Sequence, residues 1–379
     1  MRIFENLNYD FLGKRKIAYG ISITLFLIGF ISIIVRGLVF GIDFKGGTEI
    51  VLQFENPVDV GEIRTYVENI GLGTAEVKTF GGETGIMVRT EEQTIPPGIF
   101  PKVVENIEIA IEQYFPDIEK NLIDSTASSV TYEFANNKIT NAVVDKLFEA
   151  GFQTGRVSDE LDNKQMIVRV SIADWIKESL SAKVENNPFI VLKEDIVGPK
   201  IGEELKQDAV LAIFFALIVI LIYLGFRFKF VFAMGAVAAL FHDVLITLGL
   251  FAALYGLIPG LNLDIDLTVV AAFLTLVGYS INDTVVNYDR IRENLKIHKT
   301  RPLYDSINAS ISQTMSRTIL TSGTTLITVL VLLIFGGEVL KVFAFTLFFG
   351  IIIGTFSSIF VASALVYEYA EKYKKKLEF

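Results

Sequence analysis

Long apolar runs separated by short polar connections dominate the second half of the chain, and one more such run lies near its start. The runs cover residues 17–35, 208–226, 231–254, 267–288, 318–335 and 342–367. Each reaches the roughly 18 residues that cross a bilayer as a helix. The pattern therefore predicts six transmembrane helices, one ahead of a large polar segment and five behind it.

The first run follows three basic residues, Lys14, Arg15 and Lys16, which is the order of charge found in a signal peptide. It is too long for the apolar core of a signal peptide, and no cleavage pattern of small residues is evident. We therefore predict that residues 17–35 form a retained first transmembrane helix.

The polar segment, residues 38–206, contains an internal repeat at an offset of 80 residues. The matched positions are residues 50–56 with 130–136, Gly71 with Gly151, Thr74 with Thr154, Val77 with Val157, and residues 87–90 with 167–170. Each copy, 47–90 and 127–170, predicts a strand, a helix and two more strands. Helices over 100–115 and 172–185 and a last strand over 189–196 complete two tandem ferredoxin-like βαββαβ units, unless the match arises by chance. The predicted fold class is α+β, with a polytopic helix bundle.

Polar residues interrupt the fourth apolar run, and Asp283 is the ionisable residue among them. Ser280, Asp283, Thr284 and Asn287 recur at i, i+3, i+4 and i+7, which is one face of a helix, and Asn282 lies beside them. An ionisable group at membrane depth costs roughly 3 kcal/mol or more unless it is paired or hydrated, so it indicates function by default. We expect this face to point into the bundle.

The fifth run begins with Arg317 and carries polar residues at helical spacing: Thr321, Thr324, Thr325 and Thr328. A carboxylate beside a guanidinium that approaches and retreats takes up and releases a proton near neutral pH. We predict that Asp283 is such a proton carrier and that Arg317 sets its proton affinity. A carboxylate that only hydrogen-bonds neighbouring helices is the structural alternative.

The stretch before Arg317, residues 302–315, has an amphipathic pattern. Its apolar residues on one helical face are Leu303, Ile307, Ile311 and Met315. The pattern predicts a separate helix that lies at the membrane interface.

His242 and Asp243 lie in the middle of the third run. Adjacent residues of a helix point about 100° apart, so the two side chains do not both face one partner squarely. The sequence fits two roles for this pair equally well: packing of the bundle and a place in the proton path. Together with Asn282 and Thr284, they are the auxiliary candidates.

Composition and charge narrow the chemistry. The chain has 0 Cys and 2 His, which excludes disulfides and thiol catalysis and argues against a metal centre, so no cofactor is predicted. Residues 38–206 hold 16 Lys and Arg against 29 Asp and Glu, a net charge of −13 within a total of −9. An acidic domain of this kind has no nucleic-acid footprint.

Basic residues decide the orientation of the helices. On the side of the termini they are Arg227, Lys229, Arg290, Arg292, Lys296, Lys299, Arg301, Lys372 and Lys374 to Lys376. The opposite short connections, 255–266 and 336–341, hold only Lys341. The positive-inside rule therefore predicts that the termini, residues 1–16 and 368–379, are cytoplasmic and that residues 38–206 lie outside the cytoplasm.

Five motifs carry a family resemblance. They are GIDFKGGT (41–48), VGPKIGEEL (197–205), FHDVLITLG (241–249), GYSINDTVVNYDRIREN (278–294) and SRTILTSGTTL (316–326). In this order they resemble the signatures of the SecF family, membrane subunits of the bacterial Sec secretion machinery. Residues 116–185 exceed the length that we expect of the family, and the repeat would explain the excess.

The resemblance implies a bundle over 17–35 and 208–367 that is similar to half of a resistance-nodulation-division transporter. It implies no enzymatic activity, and it implies partnership with SecD, action near the SecYEG channel and the SecA motor, and contact with unfolded exported polypeptides and membrane lipid. In the inner membrane, such a protein uses the proton motive force to promote late steps of export. The family's proton-conducting residues match Asp283 and Arg317.

Three other functions fit parts of the sequence. A small-molecule exporter of the same transporter superfamily shares an intramembrane acid but needs outer domains that form a substrate duct. An intramembrane aspartyl protease needs two facing aspartates, for which Asp283 and Asp243 are the candidates, and Arg317 argues against it. A purely structural scaffold needs no titrating group at all.

Overall fold

Two compact units make up the chain: residues 44–203 form the outer unit, and residues 1–43 with 204–379 form the membrane unit. A computed structural model describes residues 9–72, 75–158, 160, 162–181, 183–184, 186–258 and 261–373, and only the backbone of 338–339. Thr74 of the predicted repeat and the outer ends of the predicted terminal segments, 1–8 and 374–379, lie outside the described residues.

Among the described residues, the outer unit contains both helices and strands, whereas the membrane unit contains helices alone. The helices are α1 (Arg15–Arg36), α2 (Ile42–Lys45), α3 (Val60–Asn69), α4 (Phe100–Tyr114), α5 (Asn137–Glu149), α6 (Ile172–Ser181), α7 (Pro199–Arg227), α8 (Phe230–Leu254), α9 (Leu267–Ile297), α10 (Leu303–Phe335), α11 (Gly337–Ser357) and α12 (Ser363–Lys372). The strands are β1 (Gly47–Phe54), β2 (Glu76–Thr79), β3 (Gly85–Thr90), β4 (Lys120–Thr126), β5 (Ser129–Phe134), β6 (Gln153–Arg156), β7 (Gln165–Arg169) and β8 (Phe189–Val197).

The six predicted transmembrane helices are all present. Within the described part of the chain, six helical segments are long and apolar enough to cross a membrane: α1, α7, α8, α9, α10, and α11 continued through a π-helical turn into α12. The protein is therefore a multi-pass membrane protein. The helices extend beyond the apolar runs. Helix α9, for example, continues past residue 288 to Ile297 and has 31 residues.

The separate interfacial helix predicted over 302–315 is wrong. Helix α10 runs without a break through 33 residues, from Leu303 to Phe335. Ile307 and Ile311 are fully buried in a core cluster of the membrane unit with Tyr288. The apolar face that suggested a lipid surface packs against protein.

Side-chain caps fix where several helices begin. Asp59 accepts from the backbone N–H groups of Gly61 and Glu62 at the start of α3, and Asp266 accepts from Val269 at the start of α9. These carboxylates satisfy backbone donors that have no partner within the helix. The cap at Asp266 therefore sets the depth at which α9 begins its span.

The outer unit contains two four-stranded antiparallel sheets, with strand orders β2-β3-β1-β8 and β4-β5-β7-β6. Strand β8 follows the second copy of the repeat in sequence but pairs with β1 of the first. Strand β4 follows the first copy but pairs with β5 of the second. The mixed α+β fold is confirmed, whereas the predicted division into two tandem units is not confirmed.

The two copies of the repeat share their central geometry. Both have the order strand, helix, strand, strand, and Ile50 opposes Val88 as Val130 opposes Val168. Gly71 and Gly151 end α3 and α5 with φ of 88° and 95°, a conformation that glycine adopts without strain. Phe54 and Phe134, the last residues of equivalent strands, are both buried.

The outer strand pairs of the copies differ in register. Val77 opposes Val88 in the first sheet, whereas Thr154 opposes Val168 in the second. Val157, which the sequence alignment matched with Val77, lies beyond β6 and is exposed. The repeat thus extends through the central strands and not to the edge strand.

A buried ladder of charges crosses the first sheet. Arg89 of β3 lies opposite Glu49 of β1 and Glu76 of β2, with Nη2 to Glu49 Oε2 at 2.6 Å and Nη1 to Glu76 Oε2 at 3.1 Å. Lys193 of β8 approaches Glu49 Oε1 at 3.3 Å. The side chains of Arg89 and Glu49 are 7% and 5% exposed, so each depends on the other for compensation of its charge.

We expect Arg89→Ala to destabilise the outer unit by about 3–5 kcal/mol, because Glu49 then remains buried without its main partner. The one tryptophan of the chain, Trp175, lies in this unit, so the fluorescence of the full-length protein reports its unfolding. The urea midpoint of the variant should fall well below that of the wild type. Lys146→Ala, which breaks the exposed pair with Glu149, is the control and should leave the midpoint nearly unchanged. Equal midpoints for both variants would contradict the role of the ladder.

Candidate functional site

The polar face predicted on the fourth span lies inside the bundle. Ser280, Asp283, Thr284 and Asn287 of α9 are between 1% and 4% exposed. Asn287 accepts a hydrogen bond from Thr314 of α10 at 2.6 Å and donates to the carbonyl oxygen of Ser358 at 3.4 Å. The helical spacing of these residues therefore identified the buried face correctly.

Asp283 has a hydroxyl partner on the next helix. Ser322 Oγ of α10 donates to Asp283 Oδ2 at 3.1 Å, and Thr355 Oγ1 of α11 donates to Ser322 Oγ at 2.9 Å. The carboxylate and the two hydroxyls thus connect α9, α10 and α11. Thr318, one turn before Ser322, holds a buried hydroxyl that has no hydrogen-bond partner among the described atoms.

Arg317 does not contact Asp283 in this structure. Its side chain is exposed, and within the described part of the chain it forms no hydrogen bond or ion pair, although its charge acts on Asp283 at longer range. The polar stripe predicted behind it is only partly buried: Thr321 and Thr325 are half-buried, and Thr324 and Thr328 are exposed. Arg317 therefore lies on a face of α10 that is turned about 100° away from the buried one.

The buried polar stripe of α10 consists of different residues. They recur at every fourth position: Ser306, Ser310, Thr314, Thr318 and Ser322. This spacing was visible in the sequence, but it extends across the boundary that the amphipathic pattern suggested near residue 315. The interior contact to Asp283 therefore comes from Ser322, which the sequence analysis did not select.

Asp243 of α8 is 1% exposed and has three hydrogen-bond partners. Its Oδ2 accepts from Ser280 Oγ of α9 at 2.7 Å and from Ser357 Oγ of α11 at 2.8 Å. Its Oδ1 lies 2.9 Å from His242 Nδ1. Three helices therefore meet at this carboxylate.

His242 connects this acid to the first helix. Its Nε2 lies 2.9 Å from Ser22 Oγ of α1, on the opposite side of the ring from Asp243. The two adjacent side chains face different helices, as their angular separation requires, and they bond each other. The ring is partly buried, with 16% of the side chain exposed.

The two other auxiliary candidates differ in position. Thr284 is buried, and its hydroxyl donates to the backbone oxygen of Ser280 at 3.3 Å, a bond within α9. Asn282 is exposed and forms no hydrogen bond among the described residues. Neither residue touches Asp283 or Asp243 through its side chain.

Gly354 of α11 lets α9 approach closely enough for these bonds. A Cβ atom at this position would lie 3.0 Å from both Cβ and Oγ of Ser280 and 3.5 Å from Asp243 Oδ2. The absence of a side chain therefore permits Ser280 to reach Asp243 between the helices.

The groups of this arrangement are suited to proton and hydrogen-bond exchange. Two carboxylates are each surrounded by hydroxyl groups, which act as donors to an ionised acid and as acceptors from a neutral one. The described residues contain no group of three or more His, Asp or Glu side chains that would hold a metal ion. The site thus has the parts of a proton relay among helices.

The outer unit contains a separate cavity of about 210 Å³. Apolar side chains such as Ile107, Phe152 and Trp175 line it together with charged ones such as Arg169 and Asp174. Its lining is thus partly apolar and partly charged.

Comparison with known families decides the identity of the chain. The profile described as "Protein export membrane protein SecD/SecF, C-terminal" matches residues 176–372, and the "SecD/SecF GG Motif" matches residues 31–58. The chain is 41% identical to the protein translocase subunit SecF of Rhodothermus marinus, over 97% of this chain and 95% of the relative. It belongs to the SecF family. The SecF of Koribacter versatilis is 38% identical over 98% and 94% of the two chains.

The segment over residues 116–185 is not longer than in these SecF relatives. Both alignments pass through it and cover nearly the whole of each protein. The expectation of an excess over the family is therefore wrong.

Solved structures support the same family. The crystal structure of SecDF, a translocon-associated membrane protein from Thermus thermophilus, is 29% identical and superposes with a TM-score of 0.64 over 96% of this chain. This chain spans 39% of that SecDF chain. A second SecDF structure, in a super-membrane-facing form, has a TM-score of 0.57. A Sec translocase accessory role follows for this SecF family member, and a small-molecule exporter is not favoured.

We expect Gly354→Ala to weaken the packing of α9 against α11 by about 1–3 kcal/mol, because the added methyl group overlaps Ser280. The thermal midpoint of the purified protein in detergent, followed by circular dichroism, should fall. Gly278→Ala is the matched control, since a Cβ atom there meets nothing within 4 Å, and its midpoint should hold or rise. A variant at Gly354 as stable as the control would show that α9 and α11 are not in close contact here.

Proposed function

We propose that this SecF family member uses proton flow through its membrane helices to promote late steps of protein export. The observation that supports this most is the burial of Asp283 in a transmembrane helix with a hydroxyl, not a cation, as its bonded partner. An acid held in this way has no fixed counter-charge, so its charge state is free to change with its surroundings.

Gain of a proton by Asp283 changes the contacts among three helices. The ionised carboxylate accepts from Ser322, which accepts in turn from Thr355. A neutral carboxyl group donates as well as accepts, so the hydroxyls of Ser322 and Thr355 gain a second possible orientation, and the unpaired hydroxyl of Thr318 lies one turn away. The proton thereby shifts the balance between two packings of α9, α10 and α11.

Arg317 is the group that we propose to set the proton affinity of Asp283. In this structure it is exposed and does not contact the acid, so the proposal requires a second arrangement in which its guanidinium approaches Asp283. Approach of the positive charge favours the ionised acid and expels the proton, and retreat favours uptake. The exposed face of α10 leaves the guanidinium free to make that movement.

SecD is the partner that we propose for the membrane unit. The solved relatives are titled SecDF. This chain spans 39% and 40% of those two chains, so more than half of each SecDF chain has no counterpart in this one. In an assembled complex the exposed face of α10 with Arg317 would be covered by protein. The SecYEG channel, the SecA motor, unfolded exported polypeptides and membrane lipid are the further partners that we propose; nucleic acid is not one.

Orientation in the inner membrane follows from the distribution of basic residues. We propose that both termini are cytoplasmic and that residues 38–206 lie on the outer side. In the outer unit, each sheet has the strand order of a ferredoxin-like fold, and we propose two such folds that exchange their closing strands, β4 and β8.

An intramembrane aspartyl protease is the alternative from another class. Asp283 and Asp243 would have to face one substrate bond, yet each bonds its own hydroxyl groups on different helices. In the described part of the chain Arg317 is paired with neither acid, so Arg317 does not itself argue against a protease. The separate hydroxyl partners are the stronger reason to propose a non-enzymatic role.

We expect Asp283→Asn to assemble with its partner yet abolish proton-dependent stimulation of export in proteoliposomes. Asparagine keeps the volume and the contact with Ser322 but does not titrate, so a packing role would survive the change. Arg317→Lys keeps the charge but loses the planar fork, and its stimulation should be reduced less completely. Thr328→Val, on the same exposed face of α10, is the control and should retain stimulation. Wild-type stimulation by a folded Asp283→Asn variant would refute the proton-carrier role.

The orientation is tested by labelling single cysteines in intact cells. Because the chain has 0 Cys, one introduced residue gives an unambiguous signal. Asp59→Cys should react with an impermeant thiol reagent from outside, and Lys296→Cys should react only after the membrane is opened. The opposite pattern of labelling would reverse the orientation and the direction of any proton path.

A further inference from the structure

Helix α1 lies along α8, and the two helices run in the same direction. Ser22 faces His242, and Gly29 faces Gly249. Both contacts advance by seven residues along each helix, which is about two turns or roughly 10 Å. At the far end, Arg36 donates to two backbone carbonyl oxygens at the carboxyl end of α8.

The glycine contact brings the two backbones together. A Cβ atom on Gly29 would lie 2.7 Å from the Cα atom of Gly249, and the reverse distance is 2.6 Å. No side chain separates the helices here, so small rotations about this point move the rest of α1 relative to α8. The contact between Ser22 and His242 lies two turns away and restrains such a rotation.

The hydrogen bond between Ser22 and His242 depends on one proton. With Asp243 ionised, its carboxylate only accepts, and the 2.9 Å contact then requires a hydrogen on His242 Nδ1. In the neutral ring, Nε2 then accepts from the hydroxyl of Ser22. In the charged ring, Nε2 carries a hydrogen and donates, and the hydroxyl of Ser22 must become the acceptor.

The surroundings isolate this pair from other charges. From α9 it is faced by Ser280, from α11 by Ser357 and from α1 by Ser22, and none of these ionises. The nearest acid along α9 is Asp283, one turn beyond Ser280, and it bonds Ser322 instead. The acid of this pair is buried, whereas the ring of His242 is partly exposed.

We propose that His242 and Asp243 form a proton-binding site of their own, in which a proton on Nε2 reverses the hydrogen bond to Ser22 and changes how α1 is held against α8. In this step one N–H bond forms at Nε2, one O–H bond of a hydronium ion breaks, and the hydronium ion becomes water. Helix α1 ends at Arg36, and residues 37–43 lead from it along the chain to the outer unit. The site stands whether or not Asp283 carries protons for export.

Histidine nuclear magnetic resonance tests the proton site, because the chain has 2 His and the other is His298 at the end of α9. In full-length protein labelled with ¹⁵N-histidine and held in lipid nanodiscs, His298→Gln leaves the signals of His242 alone. We expect a neutral ring with its hydrogen on Nδ1 at high pH and a doubly protonated ring at low pH. Asp243→Asn should change the tautomer and shift the midpoint. A ring that keeps one state from about pH 5 to about pH 8, or that ignores Asp243→Asn, would overturn the site.

Spin labels test the movement of α1. Ile31→Cys on α1 and Met234→Cys on α8 are exposed positions in a chain without native cysteine. The distance distribution between the labels should change with pH over the same range as the His242 signals. The change should be lost in Ser22→Ala and in His242→Gln and retained in His298→Gln.

Ser22→Ala tests the contact between α1 and α8 separately from folding, because it leaves the pair of His242 and Asp243 intact. In this variant His242 should still titrate, while the distance between the spin labels should no longer change with pH. If His242→Gln does not fold, Ser22→Ala is sufficient to test the proposal. The proposal would be overturned if the distance between the labels still changed with pH in Ser22→Ala. It would also be overturned if that distance stayed constant in the wild type while His242 titrated.

Discussion

Two carboxylates buried among apolar helices are the constraint on which the packing of the membrane unit depends. An acid without partners at this depth is costly, so each neighbouring helix must present a hydroxyl group or a small residue to it. Ser280 and Ser357 meet Asp243, and Ser322 meets Asp283. The positions of these hydroxyls fix the rotation of α9, α10 and α11 about their axes. Apolar packing alone would leave those rotations poorly determined.

Helix α11 links the two acids. Thr355 bonds the partner of Asp283, and Ser357, two residues on, bonds Asp243 directly. A change of protonation at either acid therefore alters contacts of the same short stretch of backbone, beside Gly354. Through His242, Asp243 is also linked to α1, so the hydrogen bonds around the two acids join α1, α8, α9, α10 and α11. This arrangement suits a protein that couples proton flow to movement.

The sequence predicted what depends on local periodicity. All six spans and the buried face of α9 follow from spacing within one segment, and so do the central strands of the repeat. On α10 the sequence analysis selected the polar stripe that begins at Arg317, whereas the serines and threonines at every fourth position form the buried face. The bond of Ser22 to His242 and the pairing of β8 with β1 join residues far apart along the chain. Periodicity within one segment contains no information about such contacts.

The central claim is that Asp283 changes its protonation state inside the folded membrane unit. Infrared difference spectroscopy of the full-length protein in lipid measures this directly, because a carboxylic acid and a carboxylate absorb at different frequencies. On acidification, the account predicts a band from a protonated carboxyl group that is missing in Asp283→Asn and retained in Thr328→Val. A difference spectrum that is the same in the wild type and in Asp283→Asn would contradict it.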